Sequence, residues 1–117
     1  MSAPIIHFEV LGKDDAALHD FYRSMFGWEI DTNNPFGYGF VMPASSGIAG
    51  GIGKAQDGPG HVTVYAQVDD VEKALEKAQS LGGKTIAPAM DMGGGTIIGL
   101  FADPEGHIFG VVSPGGQ

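Results

Sequence analysis

The chain of 117 residues contains no cysteine, which excludes disulfide bonds and thiolate chemistry. Basic residues are also scarce: 6 Lys and Arg stand against 14 Asp and Glu, which gives a formal net charge of −8. This charge repels nucleic acid and anionic membrane surfaces, so we expect neither as a partner. No apolar run approaches the roughly 20 residues of a membrane span, and the start lacks a signal-peptide pattern. These absences predict a soluble, cytoplasmic protein.

An internal repeat organises the residues that are present. At the start of segment 61–83, the apolar residues 62, 64, 66 and 68 alternate with residues that carry polar groups, as in a half-buried strand. Asp69 or Asp70 can then cap an amphipathic helix, which two glycines end. Segment 5–30 shows the same order, with matching residues 56 positions earlier. The sequence therefore predicts two copies of one strand-helix module.

The remaining strand and turn signals extend each copy to a βαβββ module. We predict module 1 at about 4–54, a linker at 55–60 and module 2 at about 61–114, all within a single domain spanning 1–117. The expected fold class is α+β, with helices on one side and polar strand faces lining a curved groove. The glycine-rich segment 46–54 suits either a loop or a strand that another group approaches closely.

Alternation in the first strand separates His7 and Glu9 from the apolar residues between them, so the two share a polar face. His61 and Thr63 share a face in the same way. We expect polar and aromatic side chains to line a ligand pocket, namely His7, Glu9, Trp28, Phe40, Met42, His61, Thr63, Tyr65 and Gln67. For five of them, packing in the core or in a dimer interface is an equal alternative, namely Trp28, Phe40, Met42, Tyr65 and Gln67. His19 is predicted to be a surface residue of the first helix, and His107 to close a turn.

Three segments carry a family resemblance: FY at 21–22 followed by Gly27, VDDVEKA at 68–74 and ADPEGHIFG at 102–110. Together with the module order they resemble the vicinal oxygen chelate superfamily, which includes glyoxalase I, bleomycin-resistance proteins and extradiol dioxygenases. The resemblance covers nearly the whole chain. It implies the glyoxalase/bleomycin resistance/dihydroxybiphenyl dioxygenase fold and a homodimer that builds its sites across the interface.

Metal-dependent members of the superfamily bind a divalent ion with side chains from the first and last strands of each module. By this resemblance His7 is the only ligand position that is filled. Thr63 stands at the matching position of module 2, and Gly110 stands where a carboxylate is expected. Segment 48–54 contains no carboxylate or histidine. The resemblance therefore predicts a degenerate metal site and no metal cofactor.

The primary functional prediction is a protein that binds a small organic molecule in its groove. The alternative is a metal-dependent lyase, isomerase or dioxygenase in which His7 binds the ion with Glu9 or His61, or in which Glu9 is the general base. Strand geometry opposes this alternative, because residues two apart are separated by roughly 6.6 Å while ligands approach an ion to about 2 Å. A third hypothesis is an interaction module whose polar strand faces contact another protein.

Overall fold

The computed structural model describes residues 2–56 and 58–114, without the side chain of Ser45. Position 57 of the predicted linker and positions 115–117 lie outside the described residues. The helices and strands follow one another in the order β1 (Ile5–Gly12), α1 (Asp15–Phe26), β2 (Ile30–Asp31), β3 (Gly39–Val41), α2 (Pro43–Ser46), β4 (Ala49–Lys54), β5 (His61–Gln67), α3 (Val71–Ser80), β6 (Lys84–Asp91), β7 (Ile97–Ala102) and β8 (Ile108–Ser113). None of the helices in these described ranges is long and apolar enough to cross a membrane.

Residues Ile6–Thr63 form one compact unit. Its strands are hydrogen-bonded in the order β2-β3-β4-β1, with β1 and β4 parallel and the other pairs antiparallel. The Asp14 carboxylate caps α1 by accepting a hydrogen bond from the Ala17 backbone at 3.0 Å, and Gly27 ends the helix in the left-handed conformation. The core consists of the buried residues Val10, Ile30, Val41 and Ile52, against which Phe8, Leu18, Tyr22 and Trp28 pack.

Within the described residues, the second unit combines 2–5 with 64–114. Its strands are ordered β5-β8-β7-β6, and β5 and β8 are parallel. Asp70 caps α3 by accepting from the Lys73 backbone at 3.1 Å. Val71 and Leu75 of α3 lie over Gly99, where a Cβ would meet each side chain at 2.9 Å. The missing side chain at this position lets the helix pack closely on the sheet.

The predicted βαβββ order is confirmed in both halves, and both helices begin after the predicted acidic caps. The short helix α2 was not predicted. The ambiguous glycine-rich segment contains strand β4, which aromatic side chains approach from both faces. The Phe8 ring occupies the space where Gly50 would carry a Cβ, and the Tyr38 ring does the same at Gly51 and Gly53. These glycines are strand residues that other groups contact closely.

The predicted surface position of His19 is wrong. This side chain is only 5% exposed, and its Nε2 atom lies 2.7 Å from the carbonyl oxygen of Ile52, to which it donates a hydrogen bond. The imidazole lies over Gly39, where a Cβ would be 2.6 Å from Nε2. Helical periodicity could not reveal this placement, because the space for the ring is provided by a glycine on a distant strand. His19 thus ties α1 to β4.

We expect His19→Ala to destabilise the protein by about 2 kcal/mol or more, since it leaves a buried carbonyl without its donor and opens a cavity. Urea denaturation measures the change. Asp20→Ala is the matched control, because that exposed carboxylate forms only a surface ion pair with Arg23 at 3.4 Å, worth at most about 1 kcal/mol. Equal losses in the two variants would contradict the buried role of His19.

Candidate functional site

Strand register places the polar residues of β1 on one face of the first unit. His7 pairs with Ala49 and Glu9 with Gly51, and Phe40 pairs with Gly51 from the other side. Paired residues of neighbouring strands point to the same face of a sheet. We call this surface the Glu9 face, and it comprises His7, Glu9, Leu11, Tyr38, Phe40, Ala49, Gly51 and Gly53.

Tyr38 is the central residue of the Glu9 face that sequence reasoning missed. Its hydroxyl group donates a hydrogen bond to Oε2 of Glu9 at 2.9 Å. Its ring covers Gly51 and Gly53 and meets the Phe40 ring edge to face, with centroids 4.8 Å apart. The sequence did contain a signal for this contact. Tyr38 and Phe40 are two residues apart, and so are Gly51 and Gly53 on the strand that they face. Only the strand register shows that these two patterns face each other.

The backbone of Tyr38 is held by Asn34. The Asn34 side-chain amide donates to the Tyr38 carbonyl at 2.7 Å, and the Tyr38 N–H donates to the Asn34 oxygen at 3.1 Å. The turn before β3 thereby fixes the start of the tyrosine side chain. The ring is therefore constrained at its backbone by Asn34 and at its tip by Glu9.

His7 is a partly buried histidine beside a carboxylate. Burial lowers the pKa of His7 below its usual value of 6.5, and the negative charge of Glu9 opposes this shift. Because burial is the larger cause, the imidazole is neutral at pH 7. A neutral imidazole has one donor and one acceptor nitrogen.

A tyrosine also covers a glycine in the second unit. Tyr65 is 5% exposed, and its ring occupies the space where its strand partner Gly110 would carry a Cβ. Gly110 is the position where the family resemblance implies a metal-binding carboxylate. With Tyr65 in this place a longer side chain does not fit at residue 110, just as Tyr38 leaves no space at Gly51. The residues present therefore do not match the metal site of the superfamily.

The described parts of the chain contain no group of three His, Asp or Glu side chains that could hold a metal ion. His7, Glu9 and His61 accordingly do not form a three-ligand set. Thr63 is 4% exposed. The Nε2 atom of His61 is buried and has no hydrogen-bond partner among residues 2–56 and 58–114.

The other predicted pocket residues have separate locations. Trp28 packs in the core aromatic cluster, with its ring centroid 5.2 Å from Phe8 and 5.7 Å from Tyr22, so it lies with the residues that face α1. Met42 follows β3 and is half-buried, and Gln67 is exposed at the end of β5. Residue type alone grouped these side chains in the sequence, and the strand register places Phe40 on the face of His7 and Glu9.

His107 closes the turn after β7, as predicted. Its backbone N–H and its Nδ1 atom both bond to the Asp103 carboxylate, at 2.9 Å and 3.0 Å. The hydrogen bond from the backbone N–H is the main cause that lowers the pKa of Asp103. The His107 side chain is 74% exposed, which fits a structural role in the turn.

Comparison with known proteins identifies the family. The model of the glyoxalase-like domain matches residues 9–112. An anthracycline biosynthesis protein, DnrV of Streptomyces peucetius, is 31% identical over 122 residues, covering 89% of this chain and 44% of the relative. The putative glyoxylase CFP32 of Mycobacterium bovis is 33% identical over 106 residues, covering 84% of this chain and 41% of the relative. The chain thus spans less than half the length of these relatives.

The fold has close counterparts among solved structures. A glyoxalase/bleomycin resistance protein/dioxygenase superfamily member from Vibrio splendidus 12B01 superposes with a TM-score of 0.67 at 13% identity, over 97% of this chain and 100% of the other. At this identity the similarity concerns the fold alone. The chain belongs to the glyoxalase-like domain family, within the vicinal oxygen chelate superfamily.

We expect the His7 imidazole to titrate below pH 6.5, as followed by the NMR shift of its ring protons and assigned with His7→Gln. Unfolded chains bind this proton first as the pH falls, so His7 lowers the stability of the folded state from about pH 6.5 downwards. Above that value the residue carries no such penalty.

Glu9→Gln should lower the pKa of His7 further, because it removes the charge that opposes the effect of burial. The matched control is Glu29→Gln, since Glu29 is exposed and does not contribute to the shift at His7. A His7 pKa that rises in Glu9→Gln, or that responds equally to both substitutions, would contradict the electrostatic pairing.

Proposed function

We propose that this glyoxalase-like domain binds a small organic molecule on the Glu9 face without a resident metal. The observation that carries the proposal is the hydrogen bond between Tyr38 and Glu9, formed on a floor of glycines beside the ring of Phe40. Ligand sites combine apolar surface with a few fixed polar groups, and this face offers both. Phe40 is 45% exposed, so part of its ring is open to a ligand on this face.

The charges around the Glu9 face favour a neutral ligand. The first unit has three basic residues, Lys13, Arg23 and Lys54. Arg23 donates to the Ile30 carbonyl at 2.9 Å, and Lys54 pairs with Gly12, whose neighbour Leu18 lies on the α1 side. Lys13 belongs to the turn before α1. None of the three is placed on the Glu9 face to bind a carboxylate or phosphate, whereas Glu9 repels anions.

The relatives suggest the shape of the ligand. DnrV is named for anthracycline biosynthesis, and anthracyclines are planar, fused-ring compounds that carry hydroxyl groups. A planar aromatic ligand could stack against the exposed Phe40 ring while its hydroxyl group reaches Glu9. We therefore propose a neutral, hydroxylated aromatic compound as the ligand class.

We include His61 among the proposed ligand contacts. Its Nε2 atom is buried and unpartnered in the described part of the chain, and such a group costs about 1–3 kcal/mol when it stays unbonded. Because the atom is buried, a ligand can bond to it only when the groups that cover it move aside.

A metal-dependent lyase, isomerase or dioxygenase is the second candidate. The name of CFP32, a putative glyoxylase, favours it, as does the electrostatic pairing of His7 with Glu9. The tyrosine-covered glycines argue against it, because they leave His7 without the carboxylate ligands that the superfamily uses. In a reaction without a metal, Glu9 is the residue that could accept a proton from a bound hydroxyl group.

We also propose a homodimer. The chain spans 44% of DnrV and 41% of CFP32, so each relative has room for a second domain of this size. A second copy of this chain could take the place of that domain. The absence of a nucleic-acid partner and the cytoplasmic location stay predictions from the sequence.

A thermal-shift experiment with 2-naphthol tests the proposed ligand class. We expect saturating 2-naphthol to raise the melting temperature by several degrees, as binding at about 100 times Kd stabilises by about 2.7 kcal/mol. Phe40→Ala should abolish the shift. The matched control is Phe36→Ala, because Phe36 is 90% exposed in the turn before β3 and belongs to no strand.

The same experiment with zinc, nickel, manganese and ferrous ions separates the two candidates. The binding proposal expects no metal-induced shift and no stoichiometric ion by elemental analysis of untagged protein. About one tightly held ion per chain, lost in His7→Ala, would overturn the metal-free proposal and support the enzyme.

A further inference from the structure

The direction of the bond between Tyr38 and Glu9 defines what the pair offers to a ligand. The phenol donates its only hydrogen to Oε2 of Glu9, so the hydroxyl oxygen presents lone pairs to other groups. A carboxylate also presents only lone pairs and can accept several hydrogen bonds at once. The two side chains together therefore act as hydrogen-bond acceptors.

The surroundings of Tyr38 fix this arrangement. Asn34 bonds to both the N–H and the carbonyl of Tyr38, and the Phe40 ring packs edge-on against its ring. The ring lies flat on β4 because Gly51 and Gly53 carry no side chain. Tyr38 is thus held in place on several sides, and its hydroxyl group restrains the Glu9 carboxylate.

We propose that Tyr38 is a positioning residue that orients the Glu9 carboxylate, and that the Glu9 face consequently selects ligands that donate a hydrogen bond. Phenols, alcohols and amines satisfy the acceptor pair. An ether of the same shape offers it no hydrogen to accept, and a carboxylate is repelled by it. This inference rests on the proposed function, because it concerns selectivity at the same face.

Three naphthalene probes of one shape test the selectivity. Titration of the full chain should give a Kd for 2-naphthol about tenfold below that for 2-methoxynaphthalene, which lacks only the donor. Binding of 2-naphthoate should be weaker than that of 2-naphthol by at least a similar factor. The quantity to compare is the ratio of the Kd values for 2-naphthol and 2-methoxynaphthalene, since general damage to the face weakens the binding of both probes.

Tyr38→Phe keeps the ring over the glycines and removes only the hydroxyl group. We expect it to reduce the preference for 2-naphthol from about tenfold to within about threefold, with the Kd for 2-methoxynaphthalene changed by less than about twofold. Tyr22→Phe is the matched control, because Tyr22 lies in the core aromatic cluster on the α1 side and should leave the ratio intact.

Substitutions at the glycine floor give a second test. Gly51→Ala places a methyl group where the Tyr38 ring and hydroxyl group lie, so it should cause the same loss of selectivity. At Gly53 the atoms nearest to a Cβ would be Tyr38 ring carbons at 2.7 and 2.9 Å and Leu11 Cδ2 at 3.4 Å, none of them the hydroxyl oxygen, so Gly53→Ala should have a smaller effect. Equal effects of the two glycine substitutions on the ratio would contradict the proposed role of the hydroxyl group.

The outcomes distinguish this inference from the proposed function. If wild type binds both neutral probes and Tyr38→Phe leaves their ratio unchanged, the positioning role is overturned while the binding function stands. If wild type binds none of the three probes, the proposed ligand class fails and the inference fails with it. A selective loss of the naphthol preference in Tyr38→Phe supports both.

Discussion

The first unit depends on three glycines of β4, at positions 50, 51 and 53, which carry no side chain. At Gly50 and Gly51 of β4, neighbouring residues on opposite faces both lack a Cβ, so the Phe8 ring lies on one face and the Tyr38 ring on the other. Aromatic rings bring a large apolar area and a defined geometry, and here both rings contact the backbone of the same strand. Any side chain at either glycine would displace a ring, either from the core or from Glu9. The core and the candidate site are therefore coupled through β4.

The second unit repeats this arrangement with different residues. Tyr65 stands 56 positions after Glu9 and covers Gly110, its partner on the parallel last strand. In the first unit the corresponding glycine is Gly51, which pairs with Glu9 of β1. The tyrosine that covers it is Tyr38, which directly precedes β3, so the β1 position is occupied by Glu9. Both units thus contain a glycine that a tyrosine covers, although the tyrosine comes from a different position of the module. This difference explains why only the first unit combines a covering tyrosine with a carboxylate.

Sequence periodicity predicted those parts of the fold that depend on local spacing. The alternation of β1 separated His7 and Glu9 from the core, and the acidic residues before both helices gave their starts to within one residue. Periodicity failed where a position depends on a distant glycine: His19 is buried because Gly39 makes space for it, and Tyr38 reaches Glu9 across Gly51. A glycine in a sequence does not indicate which aromatic ring will cover it. That information lies in strand register, which the pairing of β3 with β4 sets.

A tyrosine-glycine pair occupies the position where the family resemblance implies a metal-binding carboxylate, and a second such pair lies in the first unit. A carboxylate introduced at residue 110 alone would collide with Tyr65, and one at residue 51 would collide with Tyr38. A metal site would therefore require coupled changes, with a smaller residue at the tyrosine as well as an acid at the glycine. Each single step would first disturb packing that exists, because protein interiors tolerate little added volume. The tyrosine-glycine pairs are thus a steric barrier to a carboxylate at residue 51 or residue 110.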